Sequence, residues 1–218
     1  MSELFGQLVP EMIGLLITPA AVVGCVLLLQ SGNAVRNAFS FGAAFLLVYL
    51  QIGLAGLLGG ATDPHATSTT VAHWVGFLVG LMFLAIGAVL LLRQPSRAPG
   101  RPRWITELES AGPRKAFAAG LVLAVLNPNL FIMLSGISVI AQSGSGPAAS
   151  IFATGLLLLA AALDFLIPIG MYVLMGDRAR SGLGAAKQWM VEHDRILAVC
   201  VFVGFGLLFT GRGLAALR

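Results

Sequence analysis

Six stretches of about twenty or more predominantly apolar residues, at 9–30, 37–60, 71–92, 117–141, 148–175 and 196–217, take up most of this chain of 218 residues. A helix needs about 20 such residues to cross the hydrocarbon core of a bilayer, so the chain reads as an all-α, polytopic membrane protein with six transmembrane helices. Charged residues make up only 10% of it, against roughly 25% in an ordinary soluble domain, and the mean hydropathy is +0.93. No length is left for a separate soluble domain. The first stretch follows MSELFGQL, which lacks both a positive leader and a small-residue cleavage site, and is expected to be retained as a helix. Cys25 and Cys200 fall in the first and last stretches without a CxxC pair, which predicts packing residues.

The basic residues sort by loop. Arg36 lies between helices 1 and 2; Arg93, Arg97, Arg101, Arg103, Arg114 and Lys115 lie between 3 and 4; Arg178, Arg180, Lys187 and Arg195 lie between 5 and 6. Together they are eleven of the thirteen Lys and Arg, whereas the loops GGATDPHATSTTVAH and SGSGP carry none. Positive charge in short loops marks the cytoplasmic face, so both termini are expected outside the cytoplasmic membrane, with Arg212 and Arg218 against the rule. The net charge of +4 then needs no nucleic-acid partner; the basic loops sit against anionic lipid headgroups. Leu183, Ala186 and Met190 predict a short interfacial helix near 181–195.

Three helices precede the large basic loop and three follow it, so the halves enter the membrane from opposite sides. The expected organisation is a first three-helix repeat at 1–93, a cytoplasmic loop at 94–116 and an inverted second repeat at 117–218. Thr18-Pro19 sits about midway along helix 1, and Asn127-Pro128 at a similar depth in helix 4. Proline has no amide hydrogen and clashes with the carbonyl four residues earlier, so Pro19 releases the oxygen of Leu15, and Pro128 that of Ala124. Non-helical backbone at that depth is tolerated only where protein or a water-filled cavity meets it, and matched breaks in inverted halves point to a transporter's central site. Thr18, Pro19, Asn127, Pro128 and Asn129 are therefore candidate substrate-binding or pathway residues. Kinks that merely let neighbours pack are the rival reading.

Asp164 falls near the centre of helix 5, with Pro168 one turn later and no basic residue at its depth. An acid there costs roughly 2.5–3.5 kcal/mol on insertion scales and normally faces a cavity or a partner; it is the candidate proton-coupling group. Gln51, in the equivalent helix of the first half, either lines the same cavity or bonds between helices. Pro10-Glu11 reads as the start of helix 1, a proline at the first helical position followed by an acid near the positive end. Asp63, His65 and His73 are too loosely spaced for a metal site, and no metal or cofactor is expected. GLAGLLGG and VGFLVG have the small-residue spacing of close helix packing. HExxH, GxSxG and clustered His and Asp are all missing, which predicts a protein that is not an enzyme.

Three blocks, ITPAAVVGCVLLLQSGNAVRNAFSFGAAFLL, RWITELESAGPRKAFAAGLVLAVLNPNLFIML and LIPIGMYVLMGDRARSGLGAAKQWMVEHDRILAVCVFVGFGLLFTGRG, cover nearly the whole chain. In that order they resemble the glycopeptidolipid-addressing and sulfolipid-addressing proteins, a branch of the lysine-exporter superfamily. The resemblance implies help in moving an envelope glycolipid or its precursor to the cell surface, and through the wider superfamily, ion-coupled export. It carries the two proline motifs to Thr18-Pro19 and Asn127-Pro128. The family often has a lysine after the second motif where this chain has Asn129, so the fixed positive charge for an anionic substrate is missing there. Two alternatives stay open: export of a small solute, an amino acid or metal cation, and a non-transporting scaffold for a larger lipid exporter or glycolipid-synthesis enzyme. Membrane lipids are the expected surroundings. Apolar residues all round each helix leave a homodimer face unreadable.

Overall fold

The computed structural model describes residues 2–62, 69–92 and 111–216, and every described element is helical. In chain order these are α1 (Ser2–Leu16), α2 (Pro19–Leu29), α3 (Ala34–Thr62), α4 (Thr69–Leu92), α5 (Pro113–Leu126), α6 (Asn129–Gln142), α7 (Pro147–Met175), α8 (Asp177–Glu192) and α9 (Asp194–Ala216). Three helices are long and apolar enough to span a membrane: Ala34–Leu58 in α3, all of α7, and Arg195–Ala215 in α9. Two bent pairs raise the number to five. One is α1 with α2, bent by 43°, and the other α5 with α6, bent by 64°. The protein is thus an all-helical membrane protein, and Phe77–Leu92 of α4 is a shorter apolar stretch.

Both bends have the cause the sequence supplies. The residue before a proline is pushed out of the helical region by the proline ring, and Thr18 (φ −111°, ψ 83°) and Asn127 (φ −76°, ψ 130°) both leave it. Pro10 breaks nothing comparable. Helix α1 begins at Ser2 and carries Pro10 inside it, so Pro10-Glu11 is not a helix start. The polar MSELFGQL segment hid this extension, because it falls short of the hydropathy that marks a span.

The chain divides into two compact units. The first, Met1–Leu58 with Pro99–Val191, holds α1–α3 and α5–α8. In it α1 and α7 run side by side in the same direction. The rings of Phe5 and Phe152 meet at 5.8 Å, and a dozen residues further along each helix Thr18 meets Asp164. Helix α6 runs the opposite way against α1, pairing Ser135 with Glu11 and Asn129 with Thr18. Glycines let α3 into the bundle. A Cβ at Gly24 would stand 2.8 Å from the Phe41 ring, one at Gly120 would strike the Phe41 carbonyl, and one at Gly56 would strike Ile137. The turn after α2 is fastened by Asn37, whose Nδ2 donates to Ser31 Oγ and to the Ala111 carbonyl, both at 2.8 Å.

Helix α8 forms close to the expected place. It buries Ala179 and Leu183 while Ala186 is exposed, so its inward face is rotated from the Leu183, Ala186, Met190 register. Lys187 Nζ donates to Gln30 Oε1 at 2.9 Å, joining α8 to the C-terminal end of α2.

The second unit, Gly59–Ala98 with Glu192–Arg218, is an antiparallel pair of α4 and α9. Gly80 faces Thr210, Leu84 faces Gly206, Gly87 faces Val203 and Phe77 faces Gly213. Glycines seven residues apart on both helices thus keep the backbones close along two turns, the small-residue packing expected from VGFLVG. Phe83 sits between Phe202 and Phe209, with ring centroids 5.1 and 5.7 Å away. Arg195 caps the end of α4, Nε donating to the Leu90 carbonyl at 2.9 Å and Nη2 to that of Leu91 at 2.8 Å. Those carbonyls have no intrahelical donor. Cys200 is exposed on α9, so only Cys25, buried on α2, is a packing residue within the chain.

Candidate functional site

The two breaks meet. At the first break the Thr18 amide makes no bond to the Gly14 carbonyl, and Thr18 stands against Asp164 of α7. The vacated Gly14 oxygen is taken by Asn129 Nδ2 of α6 at 2.9 Å. The same Nδ2 donates to Thr18 Oγ1 at 2.6 Å, and Thr18 Oγ1 lies 3.1 Å from the Leu15 carbonyl that Pro19 releases. A hydroxyl has one proton, and Thr18 donates it to the Leu15 carbonyl. On the other broken span, Asn127 Oδ1 accepts the Asn129 amide at 3.0 Å, and the Asn127 amide caps α5 through the Leu123 carbonyl at 2.9 Å. The Leu15 oxygen freed by Pro19 thus finds the Thr18 hydroxyl, as burial of backbone polar groups requires.

Thr18, Asn127, Asn129 and Asp164 are all buried, between 2% and 6% exposed. The structure therefore brings the two polar motifs and the mid-helix acid into one knot within the first unit. Asp164 Oδ2 and Asn127 Nδ2 are left without hydrogen-bond partners, an acceptor and a donor. Pro168 adds to this, because it cannot donate to the Asp164 carbonyl one turn back. Gln51 does not join: it is exposed on α3. Tyr49, two residues earlier and so on the other side of the helix, is fully buried. Its ring stacks on Phe45 at 4.6 Å, and its hydroxyl has no partner.

That hydroxyl invites a test. A buried polar group without a hydrogen bond costs about 1–3 kcal/mol, so Tyr49→Phe is expected to leave the thermal unfolding temperature unchanged or to raise it. A fall of several degrees would show that the hydroxyl is satisfied after all.

A second buried acid was missed in the sequence. Glu11, fully buried on α1, accepts from Ser135 Oγ of α6 at 3.1 Å. A separate shallow cavity of about 40 Å³ lies between Gly56, Ile137, Ser150 and Thr154. Thr154 stands ten residues before Asp164 on α7, about 15 Å along the axis, so this cavity is not part of the knot, and it has room for little more than water. Among the described residues no group of three or more His, Cys, Asp or Glu is placed to hold a metal ion. Asp63, His65 and Arg93 to Arg103 lie outside the described residues, and Arg114 and Lys115 are exposed at the start of α5.

Comparison with known proteins decides the family. The family model described as Sap, sulfolipid-1-addressing protein, matches residues 8–215. The chain belongs to the sulfolipid-1-addressing protein family. The match covers every residue of the knot, from Thr18 to Asp164, and agrees with the resemblance carried by the three sequence blocks. No curated protein and no solved structure matches this member of the sulfolipid-1-addressing family.

Proposed function

We propose that this protein is an export factor that moves an envelope glycolipid or its precursor across the cytoplasmic membrane, coupled to protonation of Asp164. Its six spans form two inverted three-helix repeats with both termini outside, and alternating access comes from rocking of one repeat against the other. It is a carrier rather than an enzyme. One observation carries this reading: residues of both broken spans and the mid-helix acid share a single buried hydrogen-bonded knot. An acid in that position is tied to the geometry of both breaks, so a change in its protonation alters what holds them together. The antiparallel course of α1 and α6 supports the inverted arrangement.

A second reading, export of a small solute, is favoured by the burial of Thr18, Asn127, Asn129 and Asp164, since a lipid headgroup needs a groove open to the bilayer. Mass spectrometry of molecules retained by the gently purified protein separates the two. A glycolipid enriched on the wild type and lost from an Asn127→Ala, Asp164→Asn double variant is expected. Bulk lipid alone, equal in both, would transfer support to the small solute. If the double variant still restores glycolipid at the cell surface, the scaffold reading replaces both.

A further inference from the structure

Glu11 is a buried acid that the proposed mechanism does not use. It stands on α1 seven residues before Thr18, about 10 Å back along the helix and the break that follows it. The groups between the two levels form a ladder across α1 and α6. Ser135 Oγ bonds Glu11 Oε1, and one and a half turns nearer the start of α6, Asn129 Nδ2 bonds the Gly14 carbonyl and Thr18 Oγ1. Thr18 in turn stands against Asp164. Because α1 and α7 run in the same direction, Asp164 is level with Thr18 and Glu11 lies nearer the N-terminal ends of both.

The surroundings differ on the two sides of Asp164. Towards Glu11 the ladder is polar. Beyond Thr18 along α2, Phe41 is seated on Gly24, and its ring meets Phe165 at 5.7 Å while Phe45 meets Phe165 at 5.1 Å. All three rings are buried, and none of the three carries a group that takes up a proton; the hydroxyl of Tyr49, stacked on Phe45, is the other titratable group beside them. The elements packed against α1 supply few other titratable groups: α6 has none, and α7 has Asp164 and Tyr172, the latter two turns beyond Asp164 and away from Glu11.

We infer that Glu11 is a second proton-carrying site, the station through which protons from the side of the α1 N-terminus reach Asp164. This rests on the proton-coupled reading given above. A proton leaves the Glu11 carboxyl, passes by way of the Ser135 and Thr18 hydroxyls and water admitted between them, and arrives on the Asp164 carboxylate. Glu11 stays ionised until it takes another proton from the N-terminal side. No other bond changes.

The test is a rapid pH jump on the full chain in lipid nanodiscs, followed by infrared absorption of the carboxylic acid C=O stretch, with the Asp164 band identified by its loss in Asp164→Asn. Removing a positioned acid–base group slows proton transfer by on the order of 100-fold. Glu11→Gln is expected to slow the Asp164 band by that much while leaving its final amplitude unchanged, and Glu11→Asp to restore most of the rate. An unchanged rate in Glu11→Gln overturns the relay. Should that variant fail to fold, Ser135→Ala serves, with a slowed band expected and an unchanged one overturning the proposal. If the wild type shows no Asp164 band at any pH, it is the proton-coupled reading itself that fails.

Discussion

Asn129→Leu should lower the unfolding temperature of the detergent-solubilised protein by roughly 6–12 °C, the equivalent of about 3 kcal/mol for a chain of this size. Leucine has the same number and branching of side-chain heavy atoms, so the shape of the side chain is kept while its polar atoms are lost. What disappears is a donor that serves two acceptors at once, the Gly14 carbonyl and Thr18 Oγ1. Gly14 keeps only a long bond from the Ile17 amide at 3.4 Å. In hydrocarbon there is no water to take over, so a broken helix that has lost its clamp must either re-wind against Pro19 or leave oxygens bare. Asn127→Ala is the comparison, since it removes one bond to the Asn129 amide and leaves the link between the two spans intact. Its loss should be smaller. Equal melting of Asn129→Leu and wild type would mean that the two breaks do not depend on each other.

Gly80→Leu should be more damaging, because it strikes backbone rather than a movable side chain. A Cβ at Gly80 would stand 2.5 Å from the Thr210 amide nitrogen and Oγ1 and 3.0 Å from the Gly206 carbonyl. Helices α4 and α9 can relieve that only by moving apart, which also loosens Phe83 from Phe202 and Phe209. Overpacking a well-filled core costs typically 1–3 kcal/mol, and separation of the pair adds lost contacts along its length. Gly204→Leu is the control, as Gly204 is exposed on α9 with nothing within 4 Å of its Cβ position. It should melt like wild type. Aggregation or early melting of Gly80→Leu alone, read by fluorescence-detected size exclusion, is the expected pattern, and like behaviour of the two variants would overturn this account of the pair.

Much of the knot was legible in sequence for a definite reason. Proline's missing donor fixes where a helix must open, and an Asp at mid-span must meet something, so Thr18, Asn127, Asn129 and Asp164 could be named without coordinates. What could not be read was rotation. An apolar helix shows no hydrophobic face, and residues two apart point to nearly opposite sides. The polarity of Gln51 therefore drew attention to the outer side of α3, while Tyr49, whose ring passes for packing, is the residue turned inward. Glu11 was hidden by a different rule, the preference of proline for the first helical turn, which tertiary contacts with α6 and α7 overrode at Pro10. The interfacial segment was recognised as a helix, yet its inward register slipped because alanine gives little signal of burial.

The glycine-lined pairing of α4 with α9 has a bearing on biogenesis. These partners are separated in the chain by the whole of 93–193, so α4 is synthesised well before the only surface described against it. Until α9 arrives, its bare glycine stripe is open to the neighbouring lipid and to any other small-residue helix nearby. Helix α9 is thus the element that completes the second unit, and a chain arrested between α8 and α9 leaves the glycine stripe of α4 uncovered.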